Sequence, residues 1–204
     1  MYLTKFKLSV EHPQVRQGLI NAHDMHRNIQ KLFDSQREGN NVLYTVNRTE
    51  GACDLYLQSD MQPTLDANFL NRYGMFMEYS VSLSKKHQST ETGTVFSFIL
   101  DAMPCKAAVQ GDIAGRGKRQ CLTDPESRLQ WLDRKGEQGG FKILNVYEHP
   151  MERINVLRKG VSYFLPRYRY TGDLLVTDEV LFRETLRKGI GPGKSYGLGL
   201  LLIA

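Results

Sequence analysis

The order of predicted elements makes this an α+β chain of two tandem ferredoxin-like (RRM-like) β-α-β-β-α-β domains, residues 1–88 and 93–204. Three observations lead there. Apolar residues alternate at period two from the start of the chain, then recur at helical spacing, then alternate again. The same outline returns, more loosely, in the second half. Between the halves, Ser84-Lys85-Lys86-His87-Gln88-Ser89-Thr90-Glu91-Thr92 is wholly polar and reads as a boundary.

In the first half, residues 2–9 alternate as a half-buried strand does. His12 to Gly18, with Pro13 inside it, reads as a loop. From Ala22 the period becomes helical. Ala22, Met25, Ile29, Leu32 and Phe33 share one side, while His23, Arg27, Gln30, Lys31 and Asp34 occupy the other. Asn21 suits the N-cap, and Gly39-Asn40-Asn41 breaks the pattern. Val42–Val46 and Cys53–Ser59 read as strands joined at Thr49-Glu50-Gly51, so a hairpin is expected. A short helix over Leu65–Arg72 and a strand over Met75–Leu83 complete the unit.

The second half opens with a strand over Thr94–Met103 and a glycine-punctuated turn over Gly111–Gly117. Thr123-Asp124-Pro125-Glu126 starts a helix, with a capping residue, an early proline and an early acid. Leu129, Trp131 and Leu132 give it an apolar side, and Gly136, Gly139 and Gly140 are expected to end it. Phe141–Tyr147, Met151–Leu157 and Leu174–Thr177 read as strands. Asp178–Lys188 is a helix capped by Thr177 or Asp178, and Gly197–Ala204 a closing strand.

Composition narrows the class. With 204 residues, 41% hydrophobic and 24% charged, the chain is ordinary globular protein, which excludes disorder and low-complexity scaffolds. No apolar run approaches the ~20 residues of a membrane span, and the start lacks a secretory apolar stretch, so a soluble cytoplasmic protein without membrane contact is expected. Cys53, Cys105 and Cys121 are scattered, with no CxxC spacing, and read as thiols. The net charge of +5 is uneven: residues 1–104 hold 10 Lys/Arg against 11 Asp/Glu, and residues 105–204 hold 17 against 11. Such asymmetry fits a phosphate-rich partner on the second half, and fits solvated surface charge too. A four-stranded sheet with two helices is also the RRM architecture, which adds weight to nucleic acid by analogy of fold.

His23 and His26 stand at i and i+3, neighbours on a helix surface, with Arg27 and Lys31 on the same polar side. Imidazole exchanges protons near neutrality, and the cations can stabilise charge on a phosphate. That grouping suits phosphodiester cleavage; a bland surface role is the alternative. Zinc would need further ligands at suitable spacing, and His12, His87 and His149 fit no such pattern. Gly189-Ile190-Gly191-Pro192-Gly193-Lys194-Ser195 resembles a P-loop but has Lys188 where the first glycine must stand. Its glycine density points instead to close backbone approach to a ligand or to the first helix. Gly115-Arg116-Gly117-Lys118-Arg119 is a basic turn able to track a nucleic-acid backbone; Arg158-Lys159 and Arg167-Tyr168-Arg169-Tyr170 add cationic and aromatic surface.

Four features coincide in order: the N-terminal Met-x-Leu-Thr-Lys strand, Met25-His26-Arg27 in the first helix, Gly117-Lys118-Arg119 before a Trp-containing helix, and the run from Gly189 to Leu201. Together they resemble the CasE (Cse3) family of CRISPR repeat endoribonucleases of the Cascade complex, over essentially the whole chain. The resemblance implies a tandem ferredoxin-like fold without cofactor or metal. It also implies binding of the CRISPR repeat hairpin and cleavage of precursor RNA by 2′-OH attack, leaving a 2′,3′-cyclic phosphate and a 5′-OH. Other Cascade subunits are implied partners. The family's catalytic histidine falls on His26; where members often carry tyrosine, this chain has His23.

The expected roles follow. His26 acts as general acid or base with His23 in support, and Arg27 and Lys31 hold the scissile phosphate. Arg116, Lys118, Arg119, Arg158 and Lys159 grip RNA, and Gly191, Gly193 and Lys194 shape its cleft. The rival is a non-catalytic RNA-binding subunit using the same surface.

Overall fold

The computed structural model describes residues 1–33, 40–64, 66–83, 90–107 and 119–204. Strand β1 (Tyr2–Leu8) buries Thr4, Phe6 and Leu8 on one face, as the alternation requires. Its other face pairs Lys5 and Lys7 with Glu78, each at 2.7 Å. Helix α1 (Pro13–Ile20) occupies the segment expected to be a loop. Pro13 sits in the first turn, where its missing N–H costs nothing, and the His12 ring accepts from the Gln14 amide at 3.3 Å as the N-cap. The proline marks a helix start here, not a break. Helix α2 (Ala22–Gln30) follows, capped by Asn21 as expected.

Strands β2 (Leu43–Thr49) and β3 (Ala52–Ser59), helix α3 (Ala67–Arg72) and strand β4 (Met75–Ser82) complete the first unit. Its sheet is antiparallel in the order β2-β3-β1-β4, the ferredoxin-like order. Met25 and Ile29 of α2 pack with Phe6, Leu55 and Leu57 in one core.

The second unit contains β5 (Val95–Ala102), the short ribbon β6 (Cys105–Ala107) and β7 (Arg119–Cys121), α4 (Pro125–Gln138), β8 (Phe141–Arg158), β9 (Val161–Val176), α5 (Glu179–Lys188), a 3-10 turn at Lys194–Tyr196, and β10 (Leu201–Ile203). The sheet order β10-β5-β9-β8 repeats the first. Trp131, Phe141, Tyr170 and Phe182 fill its core. Asp124 caps α4 and Asp178 caps α5 through their carboxylates.

Four further expectations need correction. Gly136 lies inside α4, where a Cβ would come 2.7 Å from the Phe141 carbonyl oxygen, so it permits contact and does not end the helix. The strands expected at 141–147 and 151–157 are one 18-residue strand, because a register shift between Met151 and Ile154 absorbs the irregularity near Pro150. Its partner begins at Val161, not Leu174, so β8 and β9 form a long ribbon. The closing strand shrinks to three residues because Gly197 and Gly199, at φ 83° and 85°, belong to the preceding connection.

Polar contacts join the two sheets. Asp101, with its side chain 1% exposed, accepts from Arg167 at 2.5 Å, Arg169 at 2.8 and 2.9 Å, and Thr45 at 2.9 Å. Arg169 also donates to Asn47 at 2.7 Å, and Gln58 to the Leu186 carbonyl at 2.7 Å. Burial works against the Asp101 carboxylate, but the two guanidiniums outweigh it and hold its pKa below the ordinary value.

Candidate active site

Asn21 sets the geometry. Its side-chain oxygen accepts from the His23 amide at 3.1 Å, which starts α2, and from the Leu157 amide at 2.9 Å, which ties that helix to β8. Its amide nitrogen donates to Asp24 at 2.8 Å and to the Leu157 carbonyl at 3.3 Å. Asn155 donates to the Ile20 carbonyl at 3.1 Å, a second stitch between the same segments. The helix that carries both histidines is therefore docked on the far end of the β8–β9 ribbon.

The 3-10 turn supplies a third group. Tyr44 of β2, fully buried, donates its hydroxyl to the Ser195 carbonyl at 3.0 Å and lies against Gly197, where a Cβ would meet its ring at 3.1 Å. This anchors Tyr196 beside α2. The rings of His23, His26 and Tyr196 form a near-equilateral triangle: 6.5 Å between the histidines, 6.4 Å from His23 to Tyr196 and 6.3 Å from His26 to Tyr196. His23 Nδ1 is buried with no hydrogen-bond partner among the described residues. The Tyr196 and Tyr163 hydroxyls lie 3.4 Å apart. That hydrogen bond, then burial, pushes the Tyr163 phenol up, while the charge of Arg158 pulls it down.

The predicted cations divide. Arg158 and Lys159 are exposed at the ribbon tip; Lys159 (φ 50°) and Gly160 (φ 76°) make a tight hairpin turn next to Leu157, and so beside the start of α2. Arg27 turns along its helix to Asp24 at 3.8 Å. Lys31 lies over the Tyr73 ring at 5.1 Å. These two contacts are made to residues outside the triangle.

Lys194 points to another face. Its ammonium donates to the Lys188 carbonyl at 2.5 Å and lines a cleft of about 570 Å³ together with Lys106, Lys135, Lys188 and Trp131. Burial, reinforced by Lys135 and Lys188, lowers its pKa. Gly191 (φ 75°) lies against Trp131 and Gly193 (φ 83°) against Leu198. The close approach expected of these glycines is thus made to neighbouring side chains, while the 3-10 turn they lead into contacts α2. Arg116, Lys118 and the Gly111–Gly117 turn lie outside the described residues, as do most of the polar boundary segment and Leu65; Arg119 is seen as backbone paired with Ala107.

Sequence reading missed Tyr196, Tyr163 and the second role of Asn21. Tyr196 stood in plain view between Ser195 and Gly197, but only tertiary contact brings it to the histidines. Among the described residues no three His, Cys, Asp or Glu side chains gather into a metal cage. No described helix is long and apolar enough to cross a membrane.

Comparison with known proteins adds a family. The model of the family described as "CRISPR associated protein" matches residues 1–204. The CRISPR-associated endoribonuclease Cse3 of Thermus thermophilus is 32% identical over 222 aligned residues, with each chain covered in full. A solved structure of CRISPR endoribonuclease Cse3 bound to 19-nucleotide RNA superposes with a TM-score of 0.84 at 28% identity, again over 100% of both chains. Thermus thermophilus Cse3 bound to an RNA representing a pre-cleavage complex superposes at 0.83 and 28% identity, covering 100% of this chain and 98% of that one.

Proposed function

The chain belongs to the CRISPR associated protein family, and from that premise we propose that it is an endoribonuclease that binds the CRISPR repeat hairpin and cuts precursor RNA. The observation that carries the reading is the triangle of His23, His26 and Tyr196, held beside the cationic ribbon tip. The relatives' RNA-bound structures supply the substrate class.

Cleavage by the ribose 2′-OH needs one proton removed from that hydroxyl and one delivered to the departing 5′-oxygen. His26 is the general acid or base, and His23, one turn earlier on the same helix, supports it. The Tyr196 hydroxyl, poised by Tyr163, orients the reacting groups. Arg158 and Lys159 neutralise the phosphate from the ribbon tip; Arg27 and Lys31 flank the helix as secondary cations. No metal enters this scheme. The products are a 2′,3′-cyclic phosphate and a 5′-OH.

RNA is gripped mainly by the second unit, residues 93–204, through Arg119 with Arg116 and Lys118 and through the Lys194 cleft. A-form RNA hides base edges in its deep groove, so shape and phosphate contacts dominate. The first unit, residues 1–88, carries the cleaving helix. The protein acts in the cytoplasm and joins the other Cascade subunits through its bound RNA.

The test is cleavage of labelled repeat RNA in EDTA, with analysis of product ends, beside a substrate with a 2′-deoxy residue before the scissile phosphate. A cyclic-phosphate product, and a deoxy RNA bound but uncut, are expected. Tight binding without any cut would mean a non-catalytic RNA-binding subunit, and loss of cutting in EDTA a metal-dependent nuclease.

A further inference from the structure

Cys105 and Cys121, sixteen positions apart, face each other across the β6–β7 ribbon with their sulfurs 3.4 Å apart. The Leu122 amide donates to the Pro104 carbonyl at 2.9 Å, so positions 104 and 122 are a hydrogen-bonded position of the ladder, with a single bond because proline has no N–H. Positions 105 and 121 are then the adjacent non-hydrogen-bonded pair, the site in an antiparallel ladder where opposed Cα atoms lie only about 4.5 Å apart and side chains are closest. That spacing falls within the range of about 4.4–6.8 Å that a disulfide spans. Both residues are half-buried, which leaves a small reagent a path to them. Cys105 also borders the cleft lined by Lys106, Lys135, Lys188 and Lys194.

The geometry points to Cys105 and Cys121 as a modification site: a dithiol that a low-molecular-weight disulfide such as oxidised glutathione converts reversibly into an intrachain disulfide. The thiolate of one cysteine attacks a sulfur of oxidised glutathione, forming a mixed disulfide and releasing one glutathione thiolate. The thiolate of the second cysteine then attacks the protein sulfur of that mixed disulfide and releases the other glutathione. Two electrons pass from the cysteine pair to the glutathione disulfide, and the two thiol protons end on the two glutathione thiols. The new bond closes residues 105–121 into a ring and fixes the foot of the ribbon. Cys53, 3% exposed and with its thiol pushed up by burial, stands apart as an internal control.

The site does not depend on what the protein cleaves, and its test needs no RNA. The full chain is incubated with excess oxidised glutathione and quenched with acid; one portion is weighed intact, and another is alkylated and digested with trypsin. The expected result is a chain about 2 Da lighter, with peptide 87–106 linked to peptide 120–128, Cys53 unlinked, and full reversal by dithiothreitol. Cys105→Ser and Cys121→Ser should each trap one glutathione on the remaining cysteine, which shows that each variant keeps its thiol reactive. Stable single glutathione adducts on both cysteines of the unaltered protein would overturn the proposal, and so would a link found only between two chains.

Discussion

Asn21 grips Leu157 by both backbone groups, accepting from its amide at 2.9 Å and donating to its carbonyl at 3.3 Å, while the same side chain caps the helix that carries His23 and His26. One residue thus does two things at once: it starts a helix in the first sheet's unit and fastens that helix to the ribbon of the second. The positions of the histidines relative to Arg158 depend on it.

Asn21→Ala should therefore damage both stability and cutting. Loss of an N-cap costs about 1 kcal/mol, and at roughly 2–4 °C per kcal/mol for a chain of this size the melting temperature should fall by a few degrees. Cleavage should fall about tenfold, since misplaced acid-base groups lose their orientation. Thermal unfolding and single-turnover cleavage, run on the same preparation, check both. A capping role alone would move the melt and leave the cleavage rate where it was.

For His26→Ala the expectation is a loss of about 10²- to 10⁴-fold in cleavage, the usual span for a general acid or base. Repeat-RNA affinity should stay within about twofold, or about 0.4 kcal/mol. Gel-shift titration beside the cleavage assay separates the two. Equal losses in both would make His26 a structural residue. His23→Tyr should retain cutting if that position only supports His26.

Tyr196→Phe keeps the ring beside both histidines and removes only the hydroxyl. It should slow cleavage about tenfold, or about 1.4 kcal/mol of barrier. Tyr163→Phe should act in the same direction with a smaller effect, because it acts through Tyr196. The double variant should be no slower than Tyr196→Phe, since the two hydroxyls form one unit. Additive losses would show that the pair does not work together.

Acid should loosen the joint between the two sheets. The Asp101 pKa is lower folded than unfolded, so its contribution is fully present above the unfolded value near 3.9 and is lost as pH falls through the lower folded value. The melting temperature should hold from pH 7 to about 5 and then drop steeply below about 4. Asp101→Asn should lose about 3 kcal/mol at pH 7, as expected for removing one partner of a buried ionic cluster, and should flatten that acid limb. Melts from pH 7 to pH 2.5 on both proteins decide the matter; parallel curves would exclude Asp101 as the titrating group.

Local chemistry decided a good deal of this molecule. Period-two and helical spacing placed β1, α2, the β2–β3 hairpin, α4 and α5, because each buries one face against a core and its sequence must show that face. Caps at Asn21, Asp124 and Asp178 were legible because they satisfy backbone groups only two or three residues away. The His23/His26 pair was legible because i, i+3 neighbours meet within one helix. Where local signals were ambiguous they misled. Pro13 starts a helix, and Pro150 sits within a continuous strand whose bulge accommodates it.

What the chain's order alone could not decide are contacts between residues far apart along it. Tyr196 reaches the histidines from 170 positions away or more, Asn21 finds Leu157 across 136, and Asp101 gathers Thr45, Arg167 and Arg169 from both sides. No periodicity records such pairs. They exist because two sheets of the same design pack at one relative placement, and only that placement sets which polar groups meet once water is excluded between them.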